Sequence, residues 1–77
     1  MTISALVITL ESNAAAHTRL LAMLHADPRI TVGATFGARV AVVTETESPT
    51  DGERLTTSLM DLPGVAFVDV VGVNFST

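Results

Sequence analysis

Alternating large and small apolar residues near the start of the chain predict a β-strand over Ile3–Leu10. The apolar positions then change to helical spacing over Ala14–Ala26, after a polar break in which Ser12 or Asn13 is suited to cap the helix. Pro28 cannot continue a helix, so this segment must end just before it. The first part of the chain therefore predicts a strand followed by a helix.

An internal repeat supports this pattern. Four residues, Leu20, Leu24, Pro28 and Ile30, recur thirty-five positions later as Leu55, Leu59, Pro63 and Val65. Such self-similarity indicates that one supersecondary unit is used twice. Each copy predicts a strand, a helix and a second strand.

The remaining elements follow from the same rules. We expect a strand over Arg29–Thr35, a turn at Phe36–Gly37, a strand over Arg39–Glu45, a helix over Glu53–Leu62 whose first turn begins at Ser48, Pro49 or Thr50, and a strand over Val65–Phe75. The order predicts an α+β, ferredoxin-like split βαββαβ fold. Right-handed crossovers give a four-stranded antiparallel sheet in the order 4-1-3-2, with two helices on one face. Residues 1–77 are expected to form a single domain.

Composition argues against several kinds of site. The chain has no cysteine, which excludes disulfides, thiolate metal sites and cysteine nucleophiles. His17 and His25 share a helix without a carboxylate at ligand spacing, so we expect no zinc site. The five glycines form no phosphate-binding pattern, and no catalytic motif is present. We therefore expect a protein that is not an enzyme and that binds neither a metal nor a cofactor.

Charge and hydropathy limit the partners. The net charge is −4, lysine is absent and the four arginines are scattered, which opposes nucleic-acid binding and favours a basic partner. No apolar run approaches the roughly 18 residues of a membrane helix. The N-terminal segment also lacks the basic start of a signal peptide. We expect a cytoplasmic protein without membrane insertion.

A sheet with helices on one face leaves its other face uncovered. We expect inward-facing side chains at Leu6, Ile8, Leu10, Val68 and Val70. The uncovered face then carries Ala5, Val7, Thr9, Arg39, Ala41, Val43, Glu45, Phe67, Asp69, Val71 and Val73. Its centre is apolar and its margin carries carboxylates, a pattern typical of an interaction site. The pattern leaves open whether a homodimer or a different partner covers it.

Three features of this surface bear on the choice. The strand Val65–Val73 is a long apolar edge, and such an edge invites pairing with another chain. Phe36 at the hairpin tip either serves as an exposed anchor or folds over the end of the core. Asp69 is costly to bury unpaired, whereas a guanidinium can bind it at two points. Asp69 therefore favours a cationic partner over self-association.

Three segments of the chain resemble the NapD family. They are Ser4–Leu10, Gly37–Val43 leading into Glu45, and Leu62–Val65 with the strand that follows. The resemblance covers nearly the whole chain. It implies a cytoplasmic chaperone of ferredoxin-like fold that binds the twin-arginine signal peptide of the catalytic subunit of periplasmic nitrate reductase. It further implies that binding delays export until the molybdenum cofactor and iron–sulfur cluster are inserted, without the chaperone itself binding either.

The resemblance and the uncovered face together suggest a peptide-binding site. We expect it to comprise Val7, Thr9, Ala41, Val43, Glu45, Phe67, Asp69 and Val71. Its apolar members would contact the apolar stretch of the signal peptide, and Glu45 and Asp69 its arginines. The alternative is an ACT- or Lrp-type regulatory module, an oligomer that binds small molecules at its subunit interfaces. A heavy-metal-binding domain of the same fold is disfavoured because its paired cysteines are absent.

Overall fold

A four-stranded antiparallel sheet is the framework of the protein, whose computed structural model describes residues 1–75. In chain order the elements are β1 (Thr2–Leu10), α1 (Ala14–Ala26), β2 (Ile30–Phe36), β3 (Arg39–Thr46), α2 (Pro49–Met60) and β4 (Val65–Phe75). The strand order is β2-β3-β1-β4, which is the predicted 4-1-3-2 order counted from the other edge. The predicted ferredoxin-like fold is therefore confirmed.

Helix α1 has the predicted bounds because local chemistry sets both of its ends. The Asn13 side chain accepts a hydrogen bond from the Ala16 amide at 3.1 Å, which caps the helix. At the other end, Asp27 is extended immediately before Pro28, as steric contact with a proline ring requires. Of the two candidate caps, Asn13 is thus the one used.

Helix α2 begins at the expected place but ends earlier than predicted. Ser48 caps it by accepting a hydrogen bond from the Asp51 amide at 3.2 Å, and Pro49 takes the first helical position. The helix ends at Met60 rather than Leu62, since Pro63 disfavours helical backbone at the residue before it. Within residues 1–75, neither helix is long and apolar enough to cross a membrane.

The β2–β3 hairpin turns one residue later than predicted. Phe36 is the last residue of β2 and pairs with Arg39, so it belongs to the strand. The turn consists of Gly37 and Ala38, and Gly37 has φ = +59°, a conformation that glycine adopts at little cost. As a result, Phe36 lies in the strand rather than in the turn.

The core lies entirely between the sheet and the two helices. It is formed by Leu6, Ile8, Leu10, Leu20, Leu24, Ile30, Val40, Val42, Leu55, Leu59, Val65 and Val68. Burial of each such side chain contributes roughly 1.5–3 kcal/mol to folding. Four of the five residues expected to face inward are in this core. Because the helices cover only this side, the other side of the sheet has no protein layer over it within the described residues.

The orientation predicted for the end of β4 is wrong at Val73, and the burial expected at Val70 is also wrong. The register pairs Leu6 with Val70 but Ala5 with Gly72, so Val71 is an extra residue in a β-bulge. Beyond the bulge, Val73 lies opposite the buried Ser4 and thus faces the helices. Val70 faces the same way but is 52% exposed, because it lines the groove between β4 and α2 instead of lying beneath the helix.

Candidate binding face

The sheet surface opposite the helices, called here the open face, brings together all eight residues predicted to bind a peptide. Residues that pair across neighbouring strands project to the same side. Across β3, β1 and β4, the rows are Arg39–Thr9–Phe67, Ala41–Val7–Asp69, Val43–Ala5–Gly72 and Glu45–Ile3–Asn74. Val71, in the bulge, lines the same surface. The predicted set is therefore contiguous, and its role in binding stays a prediction.

A shallow apolar depression of about 240 Å³ lies near the middle of the open face. The small residues Ala5, Ala41 and Gly33 line this space, and Val43 and Val71 line it as well. Gly33 passes so close to β3 that an added Cβ would lie 3.2 Å from the carbonyl oxygen of Ala41. The depression can receive bulky apolar side chains from a partner, because its own side chains are short.

Large apolar side chains are exposed around the depression. Phe67 on β4 is 58% exposed and Val71 is 67% exposed. Phe36, at the end of β2, is 69% exposed and lies beside Arg39 on the open face. Of the two alternatives for Phe36, the structure supports the exposed side chain rather than a cover over the core. Exposed aromatic and aliphatic groups in one patch are a common feature of binding surfaces.

The open face carries two carboxylates and one guanidinium, all exposed. Glu45 lies at one end of the face, Arg39 at the other end and Asp69 on the edge strand. Glu45 and Asp69 are separated by roughly 10 Å across two strands and roughly 13 Å along them. Neither carboxylate forms an ion pair within residues 1–75. Both are therefore available to a cationic partner.

The ion pair in the described part of the chain lies beside this face. The Arg29 guanidinium contacts the Asp27 carboxylate at 2.8 Å, and the Arg29 carbonyl oxygen accepts a hydrogen bond from the Glu45 amide. The hydrogen bond from Arg29 lowers the pKa of Asp27 below its usual value, and its counterpart raises the pKa of Arg29. Because Asp27 engages this arginine, Glu45 keeps its charge unpaired.

Strand β2 contributes open-face residues that sequence reasoning left out of the predicted site. Phe36 pairs with Arg39, Thr31 pairs with Val43, and Gly33 lines the depression. Thr31 could have been predicted from the hairpin, because it pairs with Val43, which was already expected on this face. Gly33 and Phe36 could not be predicted in this way. The register is irregular between Val32 and Thr35, and an interrupted strand loses its simple alternation.

The histidines lie away from the open face. The His17 ring donates a hydrogen bond from Nε2 to the Glu11 carbonyl oxygen, which requires the tautomer protonated at Nε2. His25 is exposed in the last turn of α1. Across residues 1–75, no group of three or more histidine, cysteine, aspartate or glutamate side chains is arranged to hold a metal ion.

Comparison with known proteins finds a likeness to a solved structure. No family model matches the chain, and no curated protein matches it. The solution structure of the E. coli Tat proofreading chaperone protein NapD is similar, with a TM-score of 0.78 and 22% sequence identity. The match covers 91% of this chain and 74% of NapD. The resemblance to NapD found in the sequence is thus confirmed in three dimensions, and at this identity what the two chains share is the fold.

Proposed function

We propose that this protein is a cytoplasmic maturation chaperone, not an enzyme. It binds the twin-arginine leader of the catalytic subunit of a periplasmic nitrate reductase and delays its export until the cofactors are inserted. The open face is the binding surface. The observation that carries the proposal is the uncovered apolar sheet face with unpaired carboxylates at its margin.

The apolar part of such a leader fits the centre of the open face. The depression between Ala5, Ala41 and Val71 admits bulky aliphatic side chains, and Phe67 and Phe36 extend the apolar surface beyond it. Burying each large side chain of the leader here stabilises the complex by removing apolar area from water. An exposed apolar surface of this kind would otherwise promote self-association.

The arginine pair of the leader fits the charge of the face. Glu45 and Asp69 are carboxylates without ion pairs in the described chain, and a guanidinium binds a carboxylate through two parallel hydrogen bonds. The overall charge of −4 attracts a cationic peptide at long range and repels a second copy of the chain. Charge thus supports a peptide partner over a homodimer.

The likeness to NapD supports the same function. That protein is a Tat proofreading chaperone, and its fold extends over 91% of this chain. The geometry of the open face, which was expected from the sequence, agrees with a chaperone that binds an extended or helical leader segment. The arrangement of Glu45 and Asp69 gives the proposal its specific content, namely recognition of arginine.

The experiment is a backbone amide NMR titration with a synthetic peptide of two consecutive arginines followed by an apolar stretch. We expect shifts along β1, β3 and β4, and weaker shifts when both arginines are replaced by glutamine. Phe67→Ala should weaken binding by about tenfold, which corresponds to about 1.4 kcal/mol. The matched control is Met60→Ala, which removes an exposed apolar side chain from α2 and should leave binding unchanged.

Two outcomes would contradict the proposal. One is equal binding of the arginine and glutamine peptides, since recognition of the pair is then missing. The other is absence of peptide binding by a protein that sediments as a dimer and shows a thermal shift with amino acids, which is the behaviour of an ACT- or Lrp-type module. That result would indicate that the open face forms a dimer interface.

A further inference from the structure

The charges on the open face are unevenly distributed along β3. The residues of β3 on this face are, in order, Arg39, Ala41, Val43 and Glu45, so a cation and an anion stand at opposite ends of an apolar strip. Six residues at about 3.3 Å each separate them by about 20 Å. Asp69 lies one row along from Arg39, about 7 Å, and two strands across, about 10 Å. The two charges balance in sign, so the Arg39 end has no net charge and the Glu45 end is negative.

Carboxylates outnumber cations at the negative end. Met1, with its amino terminus, Arg29 and Arg54 line one pocket together with Glu45, Glu47 and Asp51, and Asp27 pairs with Arg29. Arg29 adjoins Glu45 through the backbone, but its guanidinium is held by Asp27 at 2.8 Å. Asn74 and Ile3, in the same row as Glu45, carry no charge. A guanidinium from outside therefore meets an unpaired carboxylate at this end and an existing guanidinium at the other.

The largest exposed apolar side chains lie at the Arg39 end of the open face, away from the negative Glu45 end. Phe36 and Phe67 both lie in the row of Arg39, on the two edge strands of the sheet. They are 69% and 58% exposed, and aromatic side chains supply large contact areas. Charge and apolar area therefore favour the same direction for a peptide that is cationic at one end and apolar along the remainder.

We propose that Arg39 sets the direction in which the leader peptide lies on the open face. The arginine pair binds at the Glu45 end, and the apolar stretch runs towards Phe36 and Phe67. This inference rests on the proposed function and adds a direction and a specificity-determining residue to it. It also ranks the two carboxylates, since Glu45 receives the arginines and the charge of Asp69 is balanced in sign by Arg39.

The experiment uses a nitroxide attached beside the arginine pair of the synthetic peptide, with the full chain labelled for amide NMR. We expect the strongest line broadening at Ile3, Glu45 and Asn74, with Phe36 and Phe67 spared. The chain has no cysteine, so a thiol-linked label stays on the peptide. Broadening centred on Phe36 and Phe67 would overturn the direction while leaving peptide binding intact, whereas failure of the peptide to bind would overturn the proposed function and with it this inference.

Charge-reversal variants test the role of Arg39 itself. In Arg39→Glu the aromatic end becomes the more negative one, so we expect the broadening to move towards Phe36 and Phe67. The matched control is Arg19→Glu, the same change at an exposed position of α1, which should keep the original pattern. An unchanged pattern in Arg39→Glu would show that this residue does not set the direction.

Neutralising each carboxylate tests their ranking. Glu45→Gln should weaken binding by about tenfold or more, the effect of losing a hydrogen bond between charged groups. Asp69→Asn should weaken binding less. The reverse order would contradict the placement of the arginine pair.

Discussion

At the scale of single residues, two threonines buried on the side of β3 that faces the helices differ in their hydrogen bonding. Thr44 is 1% exposed, and its hydroxyl has no hydrogen-bond partner within residues 1–75. Thr46, two residues along the same strand, donates a hydrogen bond to the Ser48 carbonyl oxygen at 3.1 Å. A buried hydroxyl without a partner lowers stability, and a paired one contributes to it. The two threonines therefore differ in what their hydroxyls do for folding.

Substitution by valine, which has nearly the same shape, should separate the two cases. We expect Thr44→Val to raise the free energy of unfolding by about 1 kcal/mol, because it removes an unpaired buried polar atom. Thr46→Val should lower it by about 1 kcal/mol, because the bond to Ser48 is lost. Urea denaturation followed by circular dichroism measures both. Equal losses in the two variants would mean that Thr44 has a partner after all.

At the scale of elements, helix α2 approaches the sheet closely at one glycine. A Cβ added at Gly52 would lie 3.1 Å from Thr46 Oγ1 and 3.6 Å from Thr2 Cγ2. Glycine is unfavourable inside a helix by about 1 kcal/mol relative to alanine. Its presence here is explained by this close contact, which lets the helix lie against Thr2 and Thr46.

A large side chain at this position should separate the helix from the sheet. Gly52→Leu is expected to lower the free energy of unfolding by about 1–3 kcal/mol, since overpacking outweighs the gain in helix propensity. Arg54→Leu, an exposed site on the same helix, is the control and should change stability by less than about 0.5 kcal/mol. Thermal and urea unfolding measure the two. A Gly52→Leu protein as stable as its parent would show that α2 shifts without cost.

At the scale of the whole molecule, the uncovered sheet face and its depression belong together. The helices use one side of the sheet for the core, and the short side chains of Ala5, Ala41 and Gly33 leave room on the other. Under the proposed function, this space receives side chains of the leader peptide.

Filling the depression should therefore affect binding and not folding. Ala41→Leu is expected to weaken binding of the twin-arginine peptide by at least about tenfold, or about 1.4 kcal/mol, while the unfolding midpoint stays near that of the parent. Ala22→Leu, on the exposed side of α1, is the matched control. Calorimetric titration measures the affinity. Undiminished binding by Ala41→Leu would exclude the depression from the site.

Sequence patterns alone determined the elements with strong local signals. Asn13, Asp27 and Pro28 set the bounds of α1, and the alternation in β1 identified Leu6 and Ile8 as core. The order of the elements then determined the fold, because right-handed crossovers leave few arrangements of βαββαβ. Most of the open face followed from the same alternation.

Only the tertiary structure decided the positions that depend on pairing between distant strands. The bulge at Val71 turns Val73 towards the helices, and an extra residue in a ladder leaves no mark on apolar alternation. Pairing also decided that Arg39 lies between Phe36 and Phe67, which come from opposite edges of the sheet. Register is a property of two strands together, so a pattern within one strand cannot specify it.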